Sequence, residues 1–135
     1  MNEPKLSANS ELPEPIAVAL VVAAALDSLG VPYYVGGSLA SALYGVSRAT
    51  MDVDLVAGLR PEHAEPLAHS LTGQFYVDAQ MIHEAISLRR SFNVIHLATM
   101  LKVDVFVSKA SDYAQTQLKR RVSREVGAGR QVFFA

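Results

Sequence analysis

Cysteine is absent from the 135 residues, and so is tryptophan. Without cysteine the chain has no disulfide staples and no thiolate zinc site. An excess of one charge is missing too. Twelve Lys and Arg stand against 13 Asp and Glu, a formal net charge of −1, so no global field recruits nucleic acid or an anionic membrane. The longest apolar run, Ile16 to Leu26, is about half the ~20 residues a membrane span needs, and no membrane association is expected. The leader carries Glu3, Glu11 and Glu14 against Lys5, which argues against a signal peptide and makes the cytoplasm the expected compartment. His63, His69, His83 and His96 lack a metal-ligand spacing such as HExxH and are expected at the surface or in helices.

What remains is half hydrophobic and 19% charged, the composition of a folded chain with a core. Its length predicts one domain over 16–135, behind a loose, proline-containing arm over 1–15. Pro15 suits the first turn of a helix over 16–29, closed by Gly30. That helix is apolar almost all round, so it is expected to be covered on more than one side, by the fold or by a partner protein or second copy. Strands are expected over 32–36, 51–57, 75–77, 91–97, 102–107 and 130–134, and helices over 38–44, 61–71, 79–89 and 111–126. The late 91–107 hairpin breaks a purely parallel pattern. The fold class is therefore α/β (α+β), a mixed β-sheet flanked by helices. The sequence ends directly after its last expected strand, and a further helical segment or a partner chain is expected to cover that edge.

Asp52 and Asp54 stand at i and i+2 of one strand, so their carboxylates project to the same face. Such a pair repels, and a divalent cation is the usual remedy, although a solvated edge strand gives the same alternation. Lys102 and Asp104 repeat the spacing on a second strand. If the two strands are neighbours, three acids converge and suit a two-metal site. Taken alone, Asp104 also reads as a surface acid paired with Lys102. Between strand and helix, Gly36-Gly37-Ser38 leaves backbone N–H groups for a phosphate and no Cβ to block its approach. The same turn is equally a tight connection with Ser38 as N-cap.

Taken as a set, Gly37-Ser38, thirteen residues (39–51), Asp52-Val53-Asp54 and then Asp104 resemble the nucleotidyltransferase superfamily that includes DNA polymerase β. The stretch Arg48-Ala49-Thr50-Met51-Asp52-Val53-Asp54 looks like a small bacterial branch with an Arg-x-Thr-x-Asp-x-Asp signature, similar to AbiEii-like abortive-infection nucleotidyltransferase toxins. The resemblance implies a minimal nucleotidyltransferase fold, with a nucleoside triphosphate as substrate and Mg2+ (or Mn2+) as cofactor. It implies Asp52, Asp54 and Asp104 as catalytic metal ligands, and Asp104 as the group that helps deprotonate the acceptor hydroxyl. Gly36, Gly37 and Ser38 would hold the triphosphate. Arg48 and Thr50 would support that loop or the ligands, with a structural ion pair open for Arg48, and Lys102 would reach a phosphate or stay solvated. The reaction implied moves a nucleoside monophosphate to an RNA, protein or small-molecule acceptor and releases pyrophosphate. Lys119, Arg120, Arg121 and Arg124 are candidate RNA contacts or a solvated helix face. The alternative function is a non-catalytic, antitoxin-like binding module that keeps the fold and acts through a protein partner.

Overall fold

Residues 14–36, 52–125 and 131–134 are described by the computed structural model. The first helix, α1, runs Glu14–Ser28 with Pro15 in its first turn, where a missing N–H costs nothing. It stops at Gly30, whose φ of +70° is left-handed. There the N–H of Val31 turns back to the Leu26 carbonyl at 3.0 Å, which satisfies an otherwise orphaned acceptor. Residues 16–20, with Val22, Ala23, Ala25 and Leu26, are buried. The helix packs on both a strand (β2, below) and a helix (α2, below). Its all-round apolarity is thus used within the chain itself.

After α1 the described chain gives β1 (Tyr33–Val35) and β2 (Asp52–Ala57). A short 3-10 turn (Pro61–His63) leads into α2 (Ala64–Leu71), followed by β3 (Phe75–Tyr76), α3 (Ala79–Leu88), β4 (Ser91–His96) and β5 (Lys102–Val107). α4 (Asp112–Lys119), β6 (Val122–Glu125) and β7 (Gln131–Phe134) complete it. One mixed seven-stranded sheet has the order β3-β4-β5-β2-β1-β7-β6. β2 runs parallel to β5 and β1 parallel to β7, while the other neighbours are antiparallel. This is the mixed sheet with flanking helices that the sequence predicts. Period-two alternation sends Val53, Leu55, Ala57, Val103, Val105, Val107, Phe92 and Val94 into one core with α1, α2 and α3. Residues 54, 56, 102, 104 and 106 face the other way.

Three expectations need correction. The helix expected over 111–126 is cut short at Lys119, and Val122–Glu125 forms a strand instead. Beyond Leu118 that stretch has no apolar stripe to bury as a helix, whereas β6 gains a full ladder against β7, from Val122 opposite Phe134 to Glu125 opposite Gln131. As a result β7 is not an exposed edge: it lies between β1 and β6, and β6 takes the edge. His96, expected at the surface or in a helix, is 3% exposed on the core side of β4. The helix expected over 38–44 lies outside the described residues.

His96 is accommodated by chemistry on two sides. Its Nδ1 lies 2.8 Å from the Thr99 hydroxyl, and its ring meets Phe75 edge-on with centroids 5.1 Å apart. Burial holds the imidazole below its ordinary pKa, against a smaller opposing pull from the Glu14 carboxylate. Near neutral pH the folded and unfolded chains both carry it uncharged. As pH falls through about 6.5 the unfolded chain takes up the proton first, so stability declines. Urea unfolding at about pH 7.5 and about pH 5.5 should show this loss, and His96→Gln should reduce it.

The core makes a second prediction. Leu67 of α2 is fully buried, while Glu65 on the same helix is exposed. Leu67→Ala should lower unfolding free energy by about 2–5 kcal/mol, and Glu65→Ala should stay within about 0.5 kcal/mol. Chemical denaturation of both variants checks the pair.

Candidate functional site

On the sheet face away from the helices, the residues lie in rows set by register. Asp54 of β2 stands directly beside Asp104 of β5, with Val53 beside Val103 and Leu55 beside Val105. Adjacent strands are about 4.8 Å apart, and residues at matched positions send their side chains to the same face. The two carboxylates are therefore neighbours, both half-buried. The row continues on either side. Asn93 of β4 is registered opposite Asp104, and the Gly36 N–H donates to the Asp54 carbonyl at 2.8 Å. The row thus reads Gly36, Asp54, Asp104, Asn93.

Gly36 is there for clearance. A Cβ built on it would lie 3.2 Å from the Cβ of Asp54 and 3.5 Å from the Asp54 carbonyl oxygen. Any larger side chain would crowd the carboxylate-bearing strand, whereas glycine leaves the space beside Asp54 open.

The other expected site residues fall as follows. Asp52 opens β2 and is registered with Lys102 of β5, which is exposed. Gly37, Ser38, Arg48 and Thr50 lie outside the described residues, and of Asp52 only the backbone position is described. Among the described residues no three acidic or histidine side chains cluster in a way that could hold a metal ion. The Asp54–Asp104 pair is nevertheless a hard oxygen donor set, the type that magnesium takes one or two of before filling its octahedron with water and phosphate oxygens. On that chemistry the residues fit the ion.

The basic C-terminal cluster is divided by the fold. Lys119 closes α4, Arg120 caps it, and Arg124 sits on β6. Arg121 is engaged internally. Its guanidinium carbon lies 4.3 Å above the Phe133 ring, and its Nη1 donates to the Leu118 carbonyl at 2.6 Å. Stacking of this kind ties α4 to the β6–β7 hairpin. The cluster is therefore not one helix face.

Asn93 escapes a reading of the sequence, because its place depends on hairpin register. That register is set by a turn in which Met100 adopts a φ of +63°, and the His96 N–H donates to the Leu101 carbonyl at 2.8 Å. A methionine gives no sequence signal for a left-handed position.

Solved structures give the comparison for this fold. The chain is similar to the antibiotic-resistance factor ANT(2'')-Ia, with a TM-score of 0.50 and 22% identity, over 87% of this chain and 63% of that one. It also resembles a CCA-adding enzyme solved with ATP, with a TM-score of 0.49 and 20% identity over 79% of this chain and 24% of that one. The lincosamide antibiotic adenylyltransferase LnuA, solved with lincomycin bound, gives a TM-score of 0.40 and 13% identity over 82% and 62%. The chain spans less than two thirds of the length of each. These neighbours are nucleotidyltransferases, and the likeness to ANT(2'')-Ia is one of fold. No protein-family model and no curated protein matches the chain.

Crowding at Gly36 should be measurable without any ligand. Gly36→Val should destabilise by about 1–3 kcal/mol through overpacking against Asp54. In a double-mutant cycle with Asp54→Gly, removing the opposing Cβ should recover much of that loss. Additive effects would show that the two positions do not press on one another.

Proposed function

We propose that this chain is a metal-dependent nucleotidyltransferase that moves a nucleoside monophosphate from a nucleoside triphosphate to an acceptor hydroxyl. The observation that carries this reading is the Asp54–Asp104 pairing on adjacent parallel strands, on the sheet face away from the core and flanked by Gly36. Fold likeness to ANT(2'')-Ia supports it. The Arg48-x-Thr50-x-Asp52-x-Asp54 stretch supports assignment to the small bacterial branch similar to abortive-infection toxins, as an intracellular enzyme.

In this mechanism Asp52, Asp54 and Asp104 hold magnesium or manganese. The bound ion supplies charge neutralisation for the phosphates and lowers the pKa of coordinated oxygens. The chain's own residues do the positioning. Gly37 and Ser38 bring backbone donors to the triphosphate, while Gly36, whose N–H is engaged with the Asp54 carbonyl, contributes the missing Cβ that lets it approach the sheet. Arg48 and Thr50 brace that loop, while Lys102 offers a cation to the outer phosphates. Asp104 accepts the proton as the acceptor hydroxyl oxygen bonds to the α-phosphorus. The bond from that phosphorus to the bridging oxygen breaks, and pyrophosphate departs with the electron pair. Asn93, beside Asp104, is placed to orient its carboxylate. Holding the reactants in line supplies much of the rate, as in phosphoryl transfer generally.

Asp54→Asn and Asp104→Asn keep the side-chain shape and remove charge from the pair. Each should lower magnesium-dependent release of pyrophosphate from a panel of the four ribonucleoside triphosphates by at least about 100-fold, a loss typical of charge-stabilising groups. Chelation of the metal should do the same to the unaltered chain. Equal turnover in both variants would sink the reading.

A further inference from the structure

A cavity of about 660 Å³ opens on the same sheet face, between the strands and α4. Its floor is one register row, Tyr34 beside Val56 beside Phe106, and Phe106 keeps 44% of its surface exposed. That row lies two residues along β2 and β5 from the Asp54–Asp104 row, a spacing of roughly 7 Å. Tyr113, 75% exposed, stands on the α4 wall with Gln117. At the far end from the carboxylates, where β5 has run out and β4 begins, the lining includes Arg89, Arg90 and Lys109. Arg89 is held in place there, its Nη1 donating to the Ser108 carbonyl at 2.8 Å. Among the described residues no acid lines the cavity.

These groups define an axis. At one end are the carboxylates, then an apolar and aromatic floor, then cations. A ligand complementary to that order has a hydroxyl at one end, a planar ring in the middle and an anion at the other. We propose that the cavity is the acceptor pocket and that it takes a small hydroxylated aromatic anion, hydroxyl toward Asp104 and anionic group toward Arg90 and Lys109. This rests on the nucleotidyltransferase reading for its orientation, because the hydroxyl must meet the carboxylate row. The volume matches a small-molecule site. A nucleotide fits the order less well. Its ribose joins base to phosphate, so hydroxyl and phosphate lie on the same side of the base, while the cavity sets its two polar ends on opposite sides of the ring floor.

Transfer then proceeds on this acceptor as for any hydroxyl. Its oxygen bonds to the α-phosphorus, its proton passes to Asp104, and pyrophosphate leaves with the electrons of the broken phosphoanhydride bond. The product is an aryl ester of the nucleoside monophosphate, still bearing its distal anion.

Binding tests the pocket apart from catalysis. The probe is anilinonaphthalene sulfonate, an aromatic anion whose fluorescence rises in apolar surroundings, titrated into the full chain. Its dissociation constant should rise about tenfold in Phe106→Ala and again in Lys109→Glu, each checked for an unchanged thermal melt, and stay unchanged in Asp54→Asn. Binding indifferent to both Phe106→Ala and Lys109→Glu would overturn the pocket. Para-hydroxyphenylpropionate should displace the probe at lower concentration than adenosine monophosphate or a short single-stranded RNA. The reverse order would overturn the aromatic-acid class in favour of a nucleotide acceptor. A chain that binds the probe as stated yet releases no pyrophosphate from any triphosphate would keep the pocket and remove the transferase reading. The two failures are thereby separable.

Discussion

The pairing of β2 with β5 is the constraint on which the rest depends, because a parallel register puts two acids side by side that would repel one another if free. The force that holds them is on the opposite face. Val53, Leu55, Val103, Val105 and Val107 are all at most 4% exposed, and burial of each is worth about 1.5–3 kcal/mol. Two unit charges about 4 Å apart repel by about 4 kcal/mol at an effective dielectric of 20, and by about 1 kcal/mol in water. The core wins by a wide margin. A slip of one residue would turn every one of these apolar groups outward, so the register admits no local relaxation. The carboxylates are kept together by side chains on the opposite face of the sheet.

The same division separates the two faces of the sheet. α1, α2 and α3 belong to the core on one side, and α1, apolar all round, closes that layer. Among the described residues, α4 lies over one end of the strands on the other side, next to the Tyr34–Val56–Phe106 row, with the Gly36–Asp54–Asp104–Asn93 row beyond it. From the Asp54–Asp104 row onward, acids, then aromatic and aliphatic groups, then cations follow one another along the strand direction, while Lys102 lies on the other side of the acids, a consequence of alternation at fixed spacing on strands held in register.

Much of this was legible in the sequence. Strand alternation placed Asp54 and Asp104 on the outward face of their strands, and the Pro15 and Gly30 signals marked both ends of α1. The β4–β5 hairpin and the mixed sheet followed from segment order. Other features depend on contacts between distant residues. That β2 and β5 are neighbours, with Asp54 level with Asp104, is decided by core packing across about fifty residues of chain. Asn93 depends on a turn whose left-handed position is filled by a methionine. His96 looks like a surface residue until its hydroxyl partner Thr99 and the Phe75 ring are in place. The 111–126 segment reads as helix on local propensity, and only its partner β7 makes Val122–Glu125 a strand. The family resemblance rests in part on Gly37, Ser38, Arg48 and Thr50, which the described residues do not reach.

The place of β7 carries a consequence for how the chain is made. Val35 of β1 pairs with Phe134 of β7, which lies 99 residues later (134 − 35). A ribosome adding about 5–20 residues per second needs roughly 5–20 s to bring that partner out. Through this interval β1 has an unsatisfied edge in the nascent polypeptide, a template for any extended segment nearby. Closure of the sheet on this side is thus a late event, because it joins strands that lie far apart in the chain.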